Sequence, residues 1–278
     1  MNAKSSIGTL QGSRADVVSS PIPPDFQRYL GSPHGVCVAP LWNVEHEAYV
    51  GYFLYGFKDA AGIWRRSGEV DDLQIALSRL KTFAEQAPAG SGSTALLLPV
   101  NYEVVRRPTR FYALVRAIKE LPLAVSKCLV IDLVDIPRGH PNHLLLEKVR
   151  SLSNVVKQVM IRVQRSEEVS SRLRAIGVKA ITIDFNQVGS MVGREPELAR
   201  SISIAHDLGI TALVLSVGSL HALTTSLGAG ADFICGPATS ITGLRFGSGP
   251  VVTAEALYRA VMQRLGGPAL VRPETSNE

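Results

Sequence analysis

Cysteine is scarce in this chain. The three residues, Cys37, Cys128 and Cys235, stand too far apart for a disulfide framework or the paired spacing of a zinc knuckle, so they are expected to be buried free thiols. Long apolar runs are missing too, since nothing approaches the roughly 18 residues needed to span a bilayer. Aromatic residues supply only 6% of the chain, and no interleaved aromatic set accompanies its basic cluster. The net charge of +5 invites a nucleic-acid reading. However, the cations are dispersed, and their longest cluster, Arg106, Arg107 and Arg110, reads as a solvated helix start. Met1 to Arg14 has no apolar core or small-residue cleavage pattern, so no secretory signal is expected there. These absences point to a soluble, cytoplasmic protein that engages neither membrane nor nucleic acid.

What is present argues for a substantial core. Hydrophobic residues make up 46% and charged residues 19% of the chain, a balance unlike that of disordered sequences. Its 278 residues suit one large domain, because α/β barrels often reach about 250 residues as a single unit. Residues 1–26 are rich in Ser, Gly and Pro, end in Pro21-Ile22-Pro23-Pro24 and show no apolar period, so they are expected to form a flexible arm. The barrel is expected over 27–267, with a second flexible tail over 268–278.

Within 27–267, apolar runs of strand length alternate with amphipathic helices, the pattern of a parallel sheet covered by helices. Strands Gly35 to Leu41 and Ala48 to Phe57 are separated by a short turn, Asn43 to Glu47, which suits an antiparallel hairpin. A helix from Glu69 to Gln86 follows, with Val70, Leu73, Leu77, Leu80 and Ala84 at helical spacing. The unit then repeats. Strands are predicted at Ala95 to Val100, Leu129 to Leu133, Val159 to Val163, Ala180 to Asp184, Thr211 to Leu215 and Asp232 to Cys235. Helices are predicted at Thr109 to Leu121, Asn142 to Leu152, Glu167 to Ile176, Pro196 to Leu208, Leu220 to Leu227 and Ala254 to Leu265. Gly177, Gly209 and Gly228 stand where helices end before strands, as left-handed caps would. Eight strands, an opening hairpin and no Gly-x-Gly-x-x-Gly after the first strand favour a closed TIM-like (β/α)8 barrel with one antiparallel strand over an open doubly wound sheet.

Such barrels carry their sites at the C-terminal strand ends. Here those ends hold Asn101, Asp132 with Asp135, Arg162, Asp184, Ser216 and Cys235. Asn101, Asp132 and Asp184 are oxygen donors of the kind magnesium takes, or else caps for nearby amides. Arg162 opposes a metal, because its permanent charge repels a divalent ion; a salt bridge to Asp132 or Asp184 would put a cation in the metal's place. His140 and His143 are separated by Pro141 and need not share a helical face, and His206 and His221 read as helix-surface side chains. Ser216 and Ser219 lack the signature of a nucleophile elbow. The glycine segments around Gly218 and Gly236 are candidates for a phosphate grip, or for ordinary tight turns.

In order and framing, the chain from about Cys37 to Ser240 resembles the EAL family, the cyclic di-GMP phosphodiesterase barrels of bacteria. The likeness is carried by Ala39-Pro40-Leu41-Trp42-Asn43-Val44 and Val50-Gly51-Tyr52, by Pro99-Val100-Asn101, by Leu129-Val130-Ile131-Asp132-Leu133-Val134-Asp135, and by Ile181-Thr182-Ile183-Asp184. It continues through Ala205-His206-Asp207-Leu208-Gly209-Ile210 and Leu227-Gly228-Ala229-Gly230-Ala231-Asp232-Phe233-Ile234-Cys235-Gly236. The resemblance implies a barrel with one antiparallel strand and, in active members, two divalent metals held by several carboxylates. It places the name-giving glutamate at Phe53, a substrate-binding arginine at Phe57 and paired aspartates near Arg162 and Val163. A lysine falls at Thr182, a glutamate at Ser216 and a glutamine at Cys235. Asn101, Asp132 and Asp184 alone match in kind, Asp132 being one methylene shorter than the family's glutamate.

These replacements imply a barrel with no catalytic residue, metal or cofactor of its own, acting in bacterial signalling through contacts with a protein partner or a second copy. Two other readings stay open. One is a receptor that holds cyclic di-GMP without cleaving it, through Asn101, Asp132, Arg162, Asp184, Gly218 and Gly236, with Phe53 and Phe57 available for stacking. The other is an unrelated phosphate-substrate barrel enzyme with Asp132 or Asp184 as general base.

Overall fold

Each apolar strand run has two faces to bury, and a closed barrel does this by turning one face into a lumen and the other under helices. The computed structural model describes residues 36–58, 61, 64–66, 73–85, 95–189, 193–239, 256 and 259. The expected arm (1–26), the expected tail (268–278) and most of the expected helix Ala254 to Leu265 lie outside them.

The strands are β1 (Val36–Asn43), β2 (Ala48–Lys58), β3 (Trp64–Arg66), β4 (Ala95–Asn101), β5 (Leu129–Val134), β6 (Gln158–Val163), β7 (Ala180–Asp184), β8 (Thr211–Leu215) and β9 (Phe233–Cys235). Among the described residues, all but β3 form one closed barrel. β1 pairs antiparallel with β2 on one side and β9 on the other, and the remaining barrel pairs, β2 to β4 and onward to β9, are parallel. The expected hairpin and single antiparallel strand are therefore both present. The short β3 was not expected; it pairs antiparallel with the end of β2, where β4 no longer reaches.

The helices are α1 (Leu73–Glu85), α2 (Tyr102–Arg106), α3 (Pro108–Lys119), α4 (Leu123–Ser126), α5 (Asn142–Ser153), α6 (Ser171–Ala175), α7 (Arg194–Asp207) and α8 (Leu220–Gly228). Two expectations need correction. The helix predicted over Glu167 to Ile176 is broken: a 3-10 turn, Ser166–Glu168, is followed by extended Val169 and Ser170 before α6 begins. Carboxylates make the break possible by accepting loop amides, Gln164 N to Glu168 at 2.8 Å and Ser166 N to Glu197 at 2.5 Å. Gly228 is not a left-handed cap. The helix runs through it, and Gly230 takes the positive φ of 83°, with the Ala231 amide reaching back to the Ser226 carbonyl at 3.1 Å, a Schellman closure. Gly177 and Gly209, with φ of 86° and 67°, turn the chain as expected.

Two register shifts in the hairpin decide which aromatics face inward. Val38 pairs with Leu54 but Cys37 with Gly56, leaving Tyr55 as an extra residue on β2. The bulge flips the alternation beyond it. Phe53 therefore packs in the lumen, whereas Phe57 lies under α1 with Leu54, Leu73 and Leu77.

Candidate functional site

The lumen is filled by at least one side chain from each barrel strand: Leu41 and Ala39 from β1, Phe53, Leu97, Val130, Met160, Ala180, Leu213 and Leu215 from β8, and Cys235. The next inward-facing positions toward the C-terminal strand ends are Asp132 on β5, Arg162 on β6 and Thr182 on β7. These are polar, and they meet. The Arg162 guanidinium donates through an NH2 group to Asp132 Oδ2, and the Thr182 hydroxyl donates to Asp132 Oδ1 at 2.5 Å. Asp132 and Thr182 are fully buried, and the Arg162 side chain is 15% exposed. Phe53 completes the group from across the barrel, its ring centroid 5.9 Å from the Arg162 guanidinium carbon. Of the two aspartates open to Arg162 on sequence grounds, the structure brings it to Asp132.

The other strand-end residues serve their own loops. Asn101 Oδ1 accepts the Glu103 amide at 2.9 Å as the N-cap of α2, and its Nδ2 donates to Asp135 Oδ2 at 2.9 Å. Asp184 Oδ1 accepts the Asn186 amide at 3.0 Å, an Asx turn, while its carbonyl accepts the amides of Gln187 and Val188. Gly218 sits in the loop where Ser219 caps α8, accepting the Ala222 amide at 3.1 Å. Gly236 lies where two loops meet backbone to backbone: the Val217 amide donates to the Cys235 carbonyl at 3.1 Å and the Ala238 amide to the Val217 carbonyl at 2.8 Å. Those amides are directed at protein carbonyls, and the Gly236 amide at the Thr239 hydroxyl, 3.2 Å away.

Ser216 corrects one expectation. Its φ of 61° is backbone strain at a strand-to-helix turn, a strain that no residue pattern around it announces. The turn delivers Val217, fully buried, into the core. The histidines of α7 and α8 serve other partners: His206 Nε2 lies 3.0 Å from Asp232, and His221 Nε2 lies 3.2 Å from Glu195.

His140 and His143 do not converge. His143 is exposed, and His140 Nε2 meets the Tyr102 hydroxyl, with the rings edge to face at 4.8 Å. Burial, then the positive charges of Arg172 and Arg106, hold the His140 pKa below its usual value. Burial likewise raises that of Tyr102. The arginine cluster is a surface feature: Arg106 and Arg107 both pair with Glu103, at 2.9 and 3.6 Å.

By sequence, no family model and no curated protein matches the chain. By structure, the likeness is to EAL domains. The EAL domain protein from Listeria monocytogenes EGD-e aligns with a TM-score of 0.54 and 13% identity, covering 80% of this chain and 92% of that one. The fold is that of an EAL domain. The FimX EAL domain from Pseudomonas aeruginosa, bound to c-di-GMP, gives 0.53 and 20% identity over 76% of this chain and 92% of its own. The Bacillus subtilis YkuI protein, which contains an EAL domain and was solved with c-di-GMP and calcium, gives 0.58 and 12% over 83% and 60%.

A divalent ion needs several oxygen donors aimed at one point. In this EAL-type barrel, Asp132 has both oxygens engaged, while Asn101 and Asp184 are turned to local amides. Among the described residues, no three His, Cys, Asp or Glu side chains are grouped to hold a metal ion. The donor set does not fit a metal centre of the kind the fold suggests.

Cys235, fully buried beside this group, has its thiol pKa pushed up by burial. A thiol must ionise to react. Cys235 should therefore resist iodoacetamide in the native protein and label only after unfolding, as peptide mass mapping will show; rapid native labelling would mean that the lumen opens. Cys128 is only half-buried, contrary to the expectation of three buried thiols. The Cys37 side chain lies outside the described residues.

Proposed function

We propose that this barrel does not hydrolyse cyclic di-GMP and acts in bacterial signalling through contacts with a protein partner. The observation that carries the reading is the Arg162–Asp132 ion pair in the lumen. Two-metal hydrolysis of a phosphodiester depends on clustered carboxylates that hold ions against both the attacking and the leaving oxygen. Among the described residues, Asp132 is the buried carboxylate of this lumen, and it is neutralised by an arginine and held by a threonine hydroxyl. The same pairing bears on ligand binding, because a guanidinium committed to a carboxylate offers little net charge to a phosphate. MucR, a phosphodiesterase of the same fold solved as its c-di-GMP complex, marks the activity being denied here.

Incubation of the purified protein with cyclic di-GMP and magnesium or manganese should yield no linear dinucleotide. Calorimetric titration should give no binding heat at high micromolar ligand. Turnover that disappears in Asp132→Asn would overturn the proposal; binding heat without turnover would favour the receptor reading instead.

A further inference from the structure

The end of the barrel opposite Arg162 carries a feature that the proposed loss of hydrolysis leaves unexplained. Between the C-terminal ends of α5 and α6, beside the starts of β6 and β7, runs an open cleft of about 600 Å³. Its charged lining residues are Arg150, Lys157, Arg174 and Lys179, without an acid among them. All four are exposed, and none forms an ion pair among the described residues. Some other surface cations do stand beside acids: Arg106 and Arg107 on Glu103, Arg116 on Glu120, Lys148 on Glu147. The floor is apolar, built from Leu146, Val149, Val159 and Ile176, with Ser153 and Gln158 as neutral donors.

Helix dipoles account for part of this. Arg150 and Arg174 lie in the last turns of α5 and α6, where a cation is favoured. Lys157 and Lys179 belong to no helix, and gathering four like charges in one cleft costs energy at low ionic strength unless an anion joins them. A small phosphate compound would want buried donors around it, and these are exposed. A nucleic acid would want an aromatic platform or a long basic stripe, and no aromatic side chain lines the cleft.

We infer that this cleft docks an acidic segment of a partner protein, with glutamates or aspartates on the four cations and an aliphatic side chain on the floor. The inference deepens the protein-contact reading and rests on it for the nature of the partner. Charge complementarity and the apolar floor together select the occupant.

The test uses the full chain and a fluorescein-labelled synthetic peptide of glutamates with two leucines, read by anisotropy. Binding in the micromolar range at low salt is expected, weakening about tenfold between roughly 50 and 500 mM salt as screening rises. Lys157→Glu/Arg174→Glu should weaken it at least about tenfold. Lys119→Glu/Arg200→Glu, which changes net charge equally at exposed positions outside the cleft, should leave it within about twofold. Should the first variant fail to fold, as judged by circular dichroism, Lys157→Gln/Lys179→Gln replaces it with the same expectation. Equal affinity in the wild type and the folded cleft variant overturns the inference. So does the absence of peptide binding, or tighter binding of oligo-dT or anionic vesicles than of the peptide. None of these results bears on turnover of cyclic di-GMP, so the two readings fail separately.

Discussion

Replacing Asp132 with alanine should lower the unfolding free energy by about 3–5 kcal/mol, because it strands the Arg162 guanidinium in the lumen without its carboxylate. Asp132 is fully buried and the Arg162 side chain 15% exposed, so water cannot readily take the lost partner's place. Arg162 Nε is already buried without a hydrogen-bond partner, which leaves the guanidinium more dependent on Asp132. The Thr182 hydroxyl loses its acceptor as well, a further cost of order 1 kcal/mol. The reverse substitution tells two causes apart. If the loss comes from an uncompensated charge, Asp132→Leu/Arg162→Met should recover most of it, since an apolar pair of similar volume avoids the desolvation of both ions. Urea unfolding followed by fluorescence measures both. An Asp132→Ala loss below about 1 kcal/mol would mean that Arg162 swings out to solvent, and that the pair does not hold the mouth.

Gly236→Ala should cost about 2–5 kcal/mol, from strain and overpacking together. A Cβ at this position would lie 2.4 Å from the Val217 amide nitrogen and 2.5 Å from its carbonyl oxygen, and the backbone φ of 155° is one that side-chain-bearing residues rarely adopt. The clash is with backbone that already bonds Cys235 and Ala238, so relief requires moving the loop after β8 away from the loop after β9. Gly218→Ala is the contrast: its nearest heavy atom to a built Cβ is 3.7 Å away, an ordinary contact, and its cost should stay below about 1 kcal/mol. Thermal unfolding of the two variants side by side checks the difference. Equal, small losses would show that Gly236 is not held by the approach of Val217.

The barrel itself is legible in the sequence because its signals are strong and local. Apolar runs such as Leu129 to Leu133 and Thr211 to Leu215 are too short for helices and are bounded by polar turns, and their order leaves few topologies. What escaped detection was set by contacts distant in sequence or by single residues. β3 exists through pairing with the tail of β2, α2 through the Asn101 cap, and the interruption before α6 through carboxylates from its own loop and from Glu197. Of the site, alternation along the strands suffices to put Asp132, Arg162 and Thr182 on one face, and charge suffices to suggest an ion pair. The choice of Asp132 over Asp184 was not legible, since it depends on which neighbour shares the lumen layer. The bulge at Tyr55 was not anticipated either: Gly56 beside it is the one local mark, and a glycine inside a strand does not by itself say which residue is the extra one, so Phe53 and Phe57 looked equivalent.

That bulge governs how this barrel can be re-engineered. One additional residue on β2 reverses which way position 57 points, placing it in the layer beneath α1 with Leu73 and Leu77. An arginine introduced there would arrive among aliphatic side chains with its charge unanswered, and not in the lumen beside Asp132. Rebuilding a cation-lined mouth on this scaffold is therefore a problem of strand register first, and exchanging side chains comes only after a residue has been removed from β2.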